Sequence, residues 1–210
     1  MSDKTIYLIR HGETDYNKKG IVQGSGIDSA LNEKGHLQAQ AFFNKYENIA
    51  FEKVYTSALQ RTHQSVNGFL KKGLKHEILS GLNEISWGVK EGLVPNNEEK
   101  AFYGNIMKRW ANGETHVAIE GGESPEEVVV RQKVAIERIL ENRSEKLILV
   151  AMHGRALRII LSHISDTPLR EMDNFKHSNL CLYKLSYSYH SNTFTILSQN
   201  DIGHLSGLAM

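Results

Sequence analysis

Two short apolar runs without alternation constrain this chain most. Ile6-Tyr7-Leu8-Ile9 and Leu147-Ile148-Leu149-Val150-Ala151 put apolar side chains on both faces of an extended backbone. A strand with one wet face alternates; a continuous run suits a strand buried on both faces, in a parallel sheet covered by helices. The intervening pattern agrees. A helix is expected from Asn32 or Glu33 to about Asn48, with Leu37, Ala41 and Phe42 on one side. Lys53-Val54-Tyr55-Thr56 reads as a strand, and a helix from about Ala58 to Lys71 should follow it. After the 147–151 strand, Ala156, Leu157, Ile160, Leu161 and Ile164 mark an apolar helix face. Leu180 to Ser188 and Thr193 to Ser198 read as a closing strand pair. The predicted fold is α/β, a three-layer α/β/α arrangement with a mostly parallel central sheet.

The segment from Val94 to Glu120 breaks the pattern, being polar with scattered aromatics (Phe102, Tyr103, Trp110). Ser124-Pro125-Glu126-Glu127 then carries a capping box with proline at the first helical position, so a helix starts there. The 210 residues read as a single domain, 1–210, with a lid-like insert at about 93–123. Composition excludes several classes. With 40% hydrophobic and 23% charged residues the chain is expected to fold. Its 25 Lys+Arg against 24 Asp+Glu leave a formal charge of +1, too little for a nucleic-acid footprint. Cys181 is the single cysteine, so no internal disulfide and no CxxC motif exists. No apolar run is long enough to span a bilayer, and Met1-Ser2-Asp3-Lys4-Thr5 lacks the pattern of a signal peptide. A cytoplasmic protein without membrane or nucleic-acid partners is expected.

Ligands of open parallel sheets bind beyond the carboxyl ends of the strands. Arg10-His11-Gly12 follows the first predicted strand, Ser57 and Arg61 follow the second, and His153-Gly154 follows the central one. Two arginines and two histidines thus converge on one edge, with glycines that allow close backbone approach. Like charges gathered there call for an anion, and guanidinium forks match phosphate oxygens.

These residues also carry a resemblance. Arg10-His11-Gly12-Glu13-Thr14 with Asn17 resembles the signature of the histidine phosphatase superfamily, in its phosphoglycerate-mutase-like branch. Gln23-Gly24, Asp28, Leu31-Asn32-Glu33, Gly35 and Gln38-Ala39 resemble the family's loop and first helix. Ser57-Ala58-Leu59-Gln60-Arg61-Thr62 is similar to its S-x-L-x-R-[AT] element, and Glu84 to Gly92 to its E-x-x-x-G-x-x-E-G. Gly122-Glu123-Ser124, His153-Gly154 and Asn200-Asp201 with His204-Leu205 complete the series in order.

The resemblance implies a histidine acid phosphatase-type phosphomonoesterase acting on small phosphate esters, with no cofactor and no metal. His11 would be the nucleophile, forming a phosphohistidine, and Glu84 the acid that protonates the leaving alkoxide and then activates water. Arg10, Arg61 and His153 would hold the phosphoryl oxygens, with Asn17, Gln23, Gly24 and Gly154 also placed at the substrate. Glu13 and Glu91 are expected to support the site structurally, Trp87 to pack, Ser57 either to reach phosphate or to cap the Arg61 helix, and His204 to pack the tail. The remaining histidines, His177 among them, are expected to be solvated or core groups.

Departures from the family pattern bear on specificity. The stretch from Gln23 to Asp28 is one residue longer than usual, and Ala30 stands where proline is common. Arg155 follows His153-Gly154; it is either a pocket group for a second anion on the substrate or a residue of the helix surface. Two alternatives accompany the phosphatase reading. A phosphoglycerate mutase would carry a Tyr just behind the acid and paired basic residues, whereas here Ser86-Trp87-Gly88 follows Glu84 and Lys108-Arg109 is the one basic pair. A non-catalytic binder of phospho-ligands would have lost part of the set, which is intact. Substrates implied by the resemblance include sugar phosphates, phosphoserine, alpha-ribazole phosphate and phosphoglycerates. Either a monomer or a homodimer fits the sequence.

Overall fold

The computed structural model describes residues 3–208; Met1 and Ser2 of the N-terminal stretch read above lie outside it. The elements in chain order are β1 (Lys4–Arg10), α1 (Asp15–Lys19), α2 (Glu33–Tyr46), β2 (Lys53–Thr56), α3 (Gln60–Ser65), α4 (Asn67–Lys71), β3 (His76–Ile78), α5 (Asn97–Ala111), α6 (Pro125–Glu141), β4 (Leu147–Met152), α7 (Gly154–Ile164), β5 (Leu182–Ser188) and β6 (Thr193–Asp201). Six strands form one sheet in the order β3-β2-β4-β1-β5-β6. The first four run parallel, and β5 and β6 close the other side antiparallel.

The two apolar runs are the paired central strands β1 and β4, with Ile6 beside Ile148 and Ile9 beside Ala151. Period-2 alternation splits each run between two cores. Ile6, Leu8, Ile148, Val150 and Met152 pack under α6 and α7, against Ala135, Ile139, Leu157 and Leu161. Tyr7, Ile9, Leu149 and Ala151 face the other way, onto Phe42 of α2 and Val66 and Phe69 of the 60–71 region. Helix layers on both faces explain why neither strand alternates.

One local expectation changes, and two elements are added. The helix expected from 58 to 71 is two helices, broken at the buried Val66, whose φ of −112° is not helical. The three-residue edge strand β3 has one apolar side chain and escaped the sequence pattern. Within the 93–123 insert, to which the sequence pattern assigns no element, α5 occupies fifteen residues, started by Asn96, whose side chain accepts from the Glu99 amide. Ile106 and Trp110 of α5 pack with Trp87, Ile85, Val128 and Met172 in a third apolar cluster at the sheet edge. The capping box at Ser124 and Glu127 forms as expected. Among the described residues no helix is long and apolar enough to cross a membrane.

Candidate active site

The carboxyl ends of β1, β2 and β4 lie side by side, and the residues just past them meet. Arg10 ends β1; His11 is 2% exposed, and its amide donates to the Met152 carbonyl at the end of β4. The loop that follows is held tightly. A Cβ at Gly12 would come within 2.8 Å of the Gly35 carbonyl, and one at Gly35 within 2.1 Å of the Glu13 carbonyl. The glycine after His11 therefore admits protein backbone at the start of α2, rather than a ligand. Glu13 is structural: its amide donates to Gln38 Oε1 and its carboxylate accepts from Asn32 Nδ2.

Hydrogen bonds fix the state of both histidines. His11 Nδ1 lies 2.7 Å from the Gly12 carbonyl, which can only accept, so the proton is on Nδ1 and the Nε2 lone pair is free. Burial, followed by the Arg61 and Arg10 charges, pushes His11 well below its ordinary pKa. It stays neutral and nucleophilic at neutral pH. His153, ring centroid 5.2 Å from that of His11, has the opposite arrangement. Arg61 Nε must donate, so His153 Nδ1 accepts it at 3.1 Å; Nε2–H then donates to Ser57 Oγ at 2.7 Å. Burial and the same two guanidinium groups hold His153 far below the usual imidazole range.

Arg61 is fully buried on the first turn of α3. Besides His153 it donates to the carbonyls of Ile27 at 2.6 Å and Gly24 at 3.1 Å, so the longer 23–28 loop wraps this guanidinium. Burial lowers its pKa to about 10, which leaves it charged. Arg10 is less committed. Nη1 donates to His177 Nδ1 at 3.1 Å, while its buried Nε has no partner. A buried guanidinium with an unmet donor is poised for an oxyanion.

Glu84 is 6% exposed and sits at the N-terminus of α7. Oε1 accepts from the Ile85 and Ala156 amides at 2.9 and 2.8 Å, and Oε2 from the Arg155 amide at 3.0 Å. Helix amides thus orient the carboxyl expected to be the acid. Its backbone is held as well. Arg131 on α6 donates to the carbonyls of Gly81, Asn83 and Glu84 and to both oxygens of Glu123.

Other expected site residues have different placements. Asn17 closes the cap of α1 with Thr14, and its Oδ1 accepts from Asn179 Nδ2 at 3.1 Å. The Gln23 amide is used inside the protein, donating to Thr14 Oγ1 and accepting from Ser29 Oγ. Gly24 contributes its carbonyl to Arg61, and a side chain there would strike Glu91 at 2.1 Å. Gly154 faces His177 and Arg10, where a Cβ would lie 3.0 and 3.3 Å away. Arg155 fits neither expectation. Its guanidinium pairs with Asp173, contacts Met107 Sδ at 3.0 Å and lies 5.6 Å over the Trp110 ring, joining α7 to α5. Its backbone amide, not its charge, serves the site. Ser57 combines two roles, accepting from the Leu59 amide at the start of α3 and from His153. Trp87 packs on Trp110, Glu91 accepts from the Trp87 amide, and His204 stacks between Phe42 and Tyr46.

Three contributors escaped the sequence reading: His177 on Arg10, Asn179 bridging Asn17 to the His11 carbonyl, and Arg131 behind Glu84. Asn179 lies just before β5, next to Leu180 with its left-handed φ of 54°. For His177 the one available signal was its place just before the strand that pairs with β1.

A three-layer α/β enzyme fold whose sheet edge carries two neutral histidines, two buried arginines and a carboxyl on a helix N-terminus defines a phosphoryl-handling class of protein. The model of the histidine phosphatase superfamily (branch 1) matches residues 6–202, and the chain belongs to that family. It is 37% identical over 136 residues to mouse fructose-2,6-bisphosphatase TIGAR, a match covering 61% of this chain and 48% of that protein. Against a 6-phosphofructo-2-kinase/fructose-2,6-bisphosphatase of Caenorhabditis elegans the identity is 32%, over 80% of this chain and 36% of the other. The chain thus spans about half, or about a third, of those two relatives. A probable phosphoglycerate mutase GpmB of Proteus mirabilis matches at 26% over 98% of this chain and 96% of its own. Among solved structures, Bacillus stearothermophilus YhfR superposes with a TM-score of 0.83 at 25% identity, covering 96% of this chain and 99% of that one. A mycobacterial glucosyl-3-phosphoglycerate phosphatase superposes at 0.81 with 21% identity, covering 94% and 99%.

Proposed function

We propose that this chain is a metal-independent phosphomonoesterase that acts on small phosphorylated metabolites through a phosphohistidine on His11. The observation that carries the reading is the His11 tautomer. The Gly12 carbonyl accepts from Nδ1–H, and Nε2 is left as a neutral nucleophile beside two guanidinium groups. In the first step Nε2 attacks phosphorus and the ester P–O bond breaks. The leaving alkoxide takes a proton from Glu84. In the second step water gives its proton back to Glu84 and attacks the phosphohistidine, releasing phosphate and restoring His11. Arg10, with its unmet Nε–H, and Arg61 stabilise the equatorial oxygens as charge spreads. His153, neutral in the free protein, turns its Nε2–H from Ser57 Oγ to a phosphate oxygen when substrate is bound.

The phosphatase reading is preferred over the mutase. In the basic pair Lys108-Arg109, Arg109 is taken by Glu114, to which it donates through Nε and Nη2 at 2.9 and 2.7 Å. It is not turned to hold a substrate carboxylate. The test is hydrolysis of para-nitrophenyl phosphate in EDTA by the wild type and by His11→Ala, alongside interconversion of 3- and 2-phosphoglycerate. Phosphate release that vanishes in the variant supports the reading. Isomerisation without net release favours the mutase, and phosphate binding with no turnover favours a non-catalytic binder.

A further inference from the structure

We propose that His177 is a positioning residue of the phosphoryl site: its imidazole accepts from Arg10 through Nδ1 and so aims the rest of that guanidinium at the phosphoryl oxygens. Its role presupposes the phosphomonoesterase reading, in which Arg10 holds those oxygens. A guanidinium only donates. At the 3.1 Å contact with Arg10 Nη1 the ring nitrogen must therefore be unprotonated, and the proton sits on Nε2. The Arg10 fork is planar and rigid, so a bond at Nη1 sets the direction of its other N–H groups. One of these is the buried Nε–H, which has no partner among the described residues.

The chain around His177 is fixed on both sides. The Lys176 carbonyl accepts from the Tyr183 hydroxyl at 2.5 Å, and the Ser178 amide donates to Asn200 Oδ1 at 2.9 Å. The ring itself lies against Gly154, the first residue of α7, where a Cβ would come 3.0 Å from His177 Cε1 and 3.3 Å from Arg10 Nε. Glycine there lets imidazole and guanidinium meet over the helix N-terminus that also holds Glu84. The surroundings keep the ring in its accepting state. The charges around it are Arg10 from β1 and Arg158 and Arg155 from α7. The nearby carboxylates, Asp173 and Glu84, act on those arginines, and His11, also coupled to the ring, is neutral. One oxygen of Asp173 serves both Arg155 and Arg158, so that pair retains a positive charge. Burial, followed by the Arg10, Arg158 and Arg155 charges, pushes His177 down to about 2. Protonation would break the Arg10 bond and set a fourth cation among three.

Calorimetric titration of inorganic phosphate at pH 7 into the wild type, His177→Ala, His177→Phe and His177→Asn separates positioning from packing. Phe keeps a ring against Gly154 but cannot accept; Asn carries an acceptor oxygen close to the place of Nδ1. Phosphate should bind about tenfold more weakly to the Ala and Phe variants, and within about threefold of wild type to the Asn variant. In two-bond 1H–15N NMR of the wild type from pH 7.5 to 5, the His177 ring should stay neutral with its proton on Nε2. Wild-type affinity in the Phe variant would reduce His177 to packing and overturn the inference. So would wild-type affinity in the Ala variant, an Asn variant as weak as Ala, a wild type that does not bind phosphate, or a ring that takes up a proton in that range. Phosphate binding requires no turnover, so failure here is separable from failure of the phosphatase reading, which stands or falls on para-nitrophenyl phosphate hydrolysis.

Discussion

Two ends of the molecule, the edge where the strands finish and the insert beside α1, are built differently. At the phosphoryl end, His11, Arg61 and His153 are nearly or fully buried, and their states are fixed by bonds to Gly12, Gly24, Ile27 and Ser57. At the insert end, Leu93 and Val94 stand 42% and 73% exposed, and the lysines along α1 are solvated. The first end grows from three strands whose burial on both faces leaves no latitude, so its geometry is preorganised. The second is carried by a short helix and an insert whose apolar side chains Ile106 and Trp110 pack on Trp87, Val128, Ile159 and Met172 rather than on the strands. The strand ends can stay constant while the insert varies, which is consistent with a shared fold among relatives named for different substrates.

That contrast can be tested by substitutions graded from the nucleophile outward. His11→Ala should lower kcat by about 10⁴-fold or more on any phosphate ester, with the melting temperature little changed. Arg131→Ala removes the donors that hold Gly81, Asn83, Glu84 and Glu123. It should cost about 2–3 kcal/mol in urea unfolding and lower kcat more than it raises KM, because it displaces the acid. His177→Ala frees Arg10. It should raise KM and weaken inhibition by inorganic phosphate about tenfold, with partial recovery in His177→Asn, which restores an acceptor.

A smaller effect concerns pH. His11 and His153 have folded-state pKa values held far below the 6.5 of the unfolded chain, so below pH 6.5 the unfolded state binds protons that the native state refuses. Stability of the free protein should therefore be fully present above pH 6.5 and fall as pH drops, by roughly 2 kcal/mol between pH 6.5 and 5.5 for the pair. A melting temperature flat across that range would mean these histidines are not buried neutral. Val94→Ser, at the exposed rim, should shift stability by less than about 0.5 kcal/mol and leave kcat on para-nitrophenyl phosphate within twofold. A large effect there would erase the distinction between the two ends.

The same division separates what the sequence discloses from what it hides. His11 and His153 are legible because each directly follows an apolar strand, and Arg61 because it lies at the start of the helix that follows β2; parallel strands put those positions on one edge. Arg131 and His177 are not, because they reach the site from elements remote in sequence. Arg131 contacts Glu84 across 47 positions, and His177 contacts Arg10 across 167. Helix α5 is muted for a different reason. It buries only Ile106 and Trp110, so its apolar stripe is too narrow to declare a helix. Arg155 stays open in the sequence because adjacency to His153-Gly154 is compatible with either the pocket or the helix surface; the turn of α7 carries its side chain to Asp173 and Trp110.

The central claim is that the sheet edge presents His11 Nε2 as the phosphoryl acceptor. Rapid acid-free denaturation of the enzyme during turnover of a phosphate-labelled ester, followed by peptide mapping, tests it directly. Label on the His11 peptide that is stable in base, labile in acid and absent from His11→Ala is the expected result. Turnover that proceeds with no label on His11, or label that persists in His11→Ala, would contradict it.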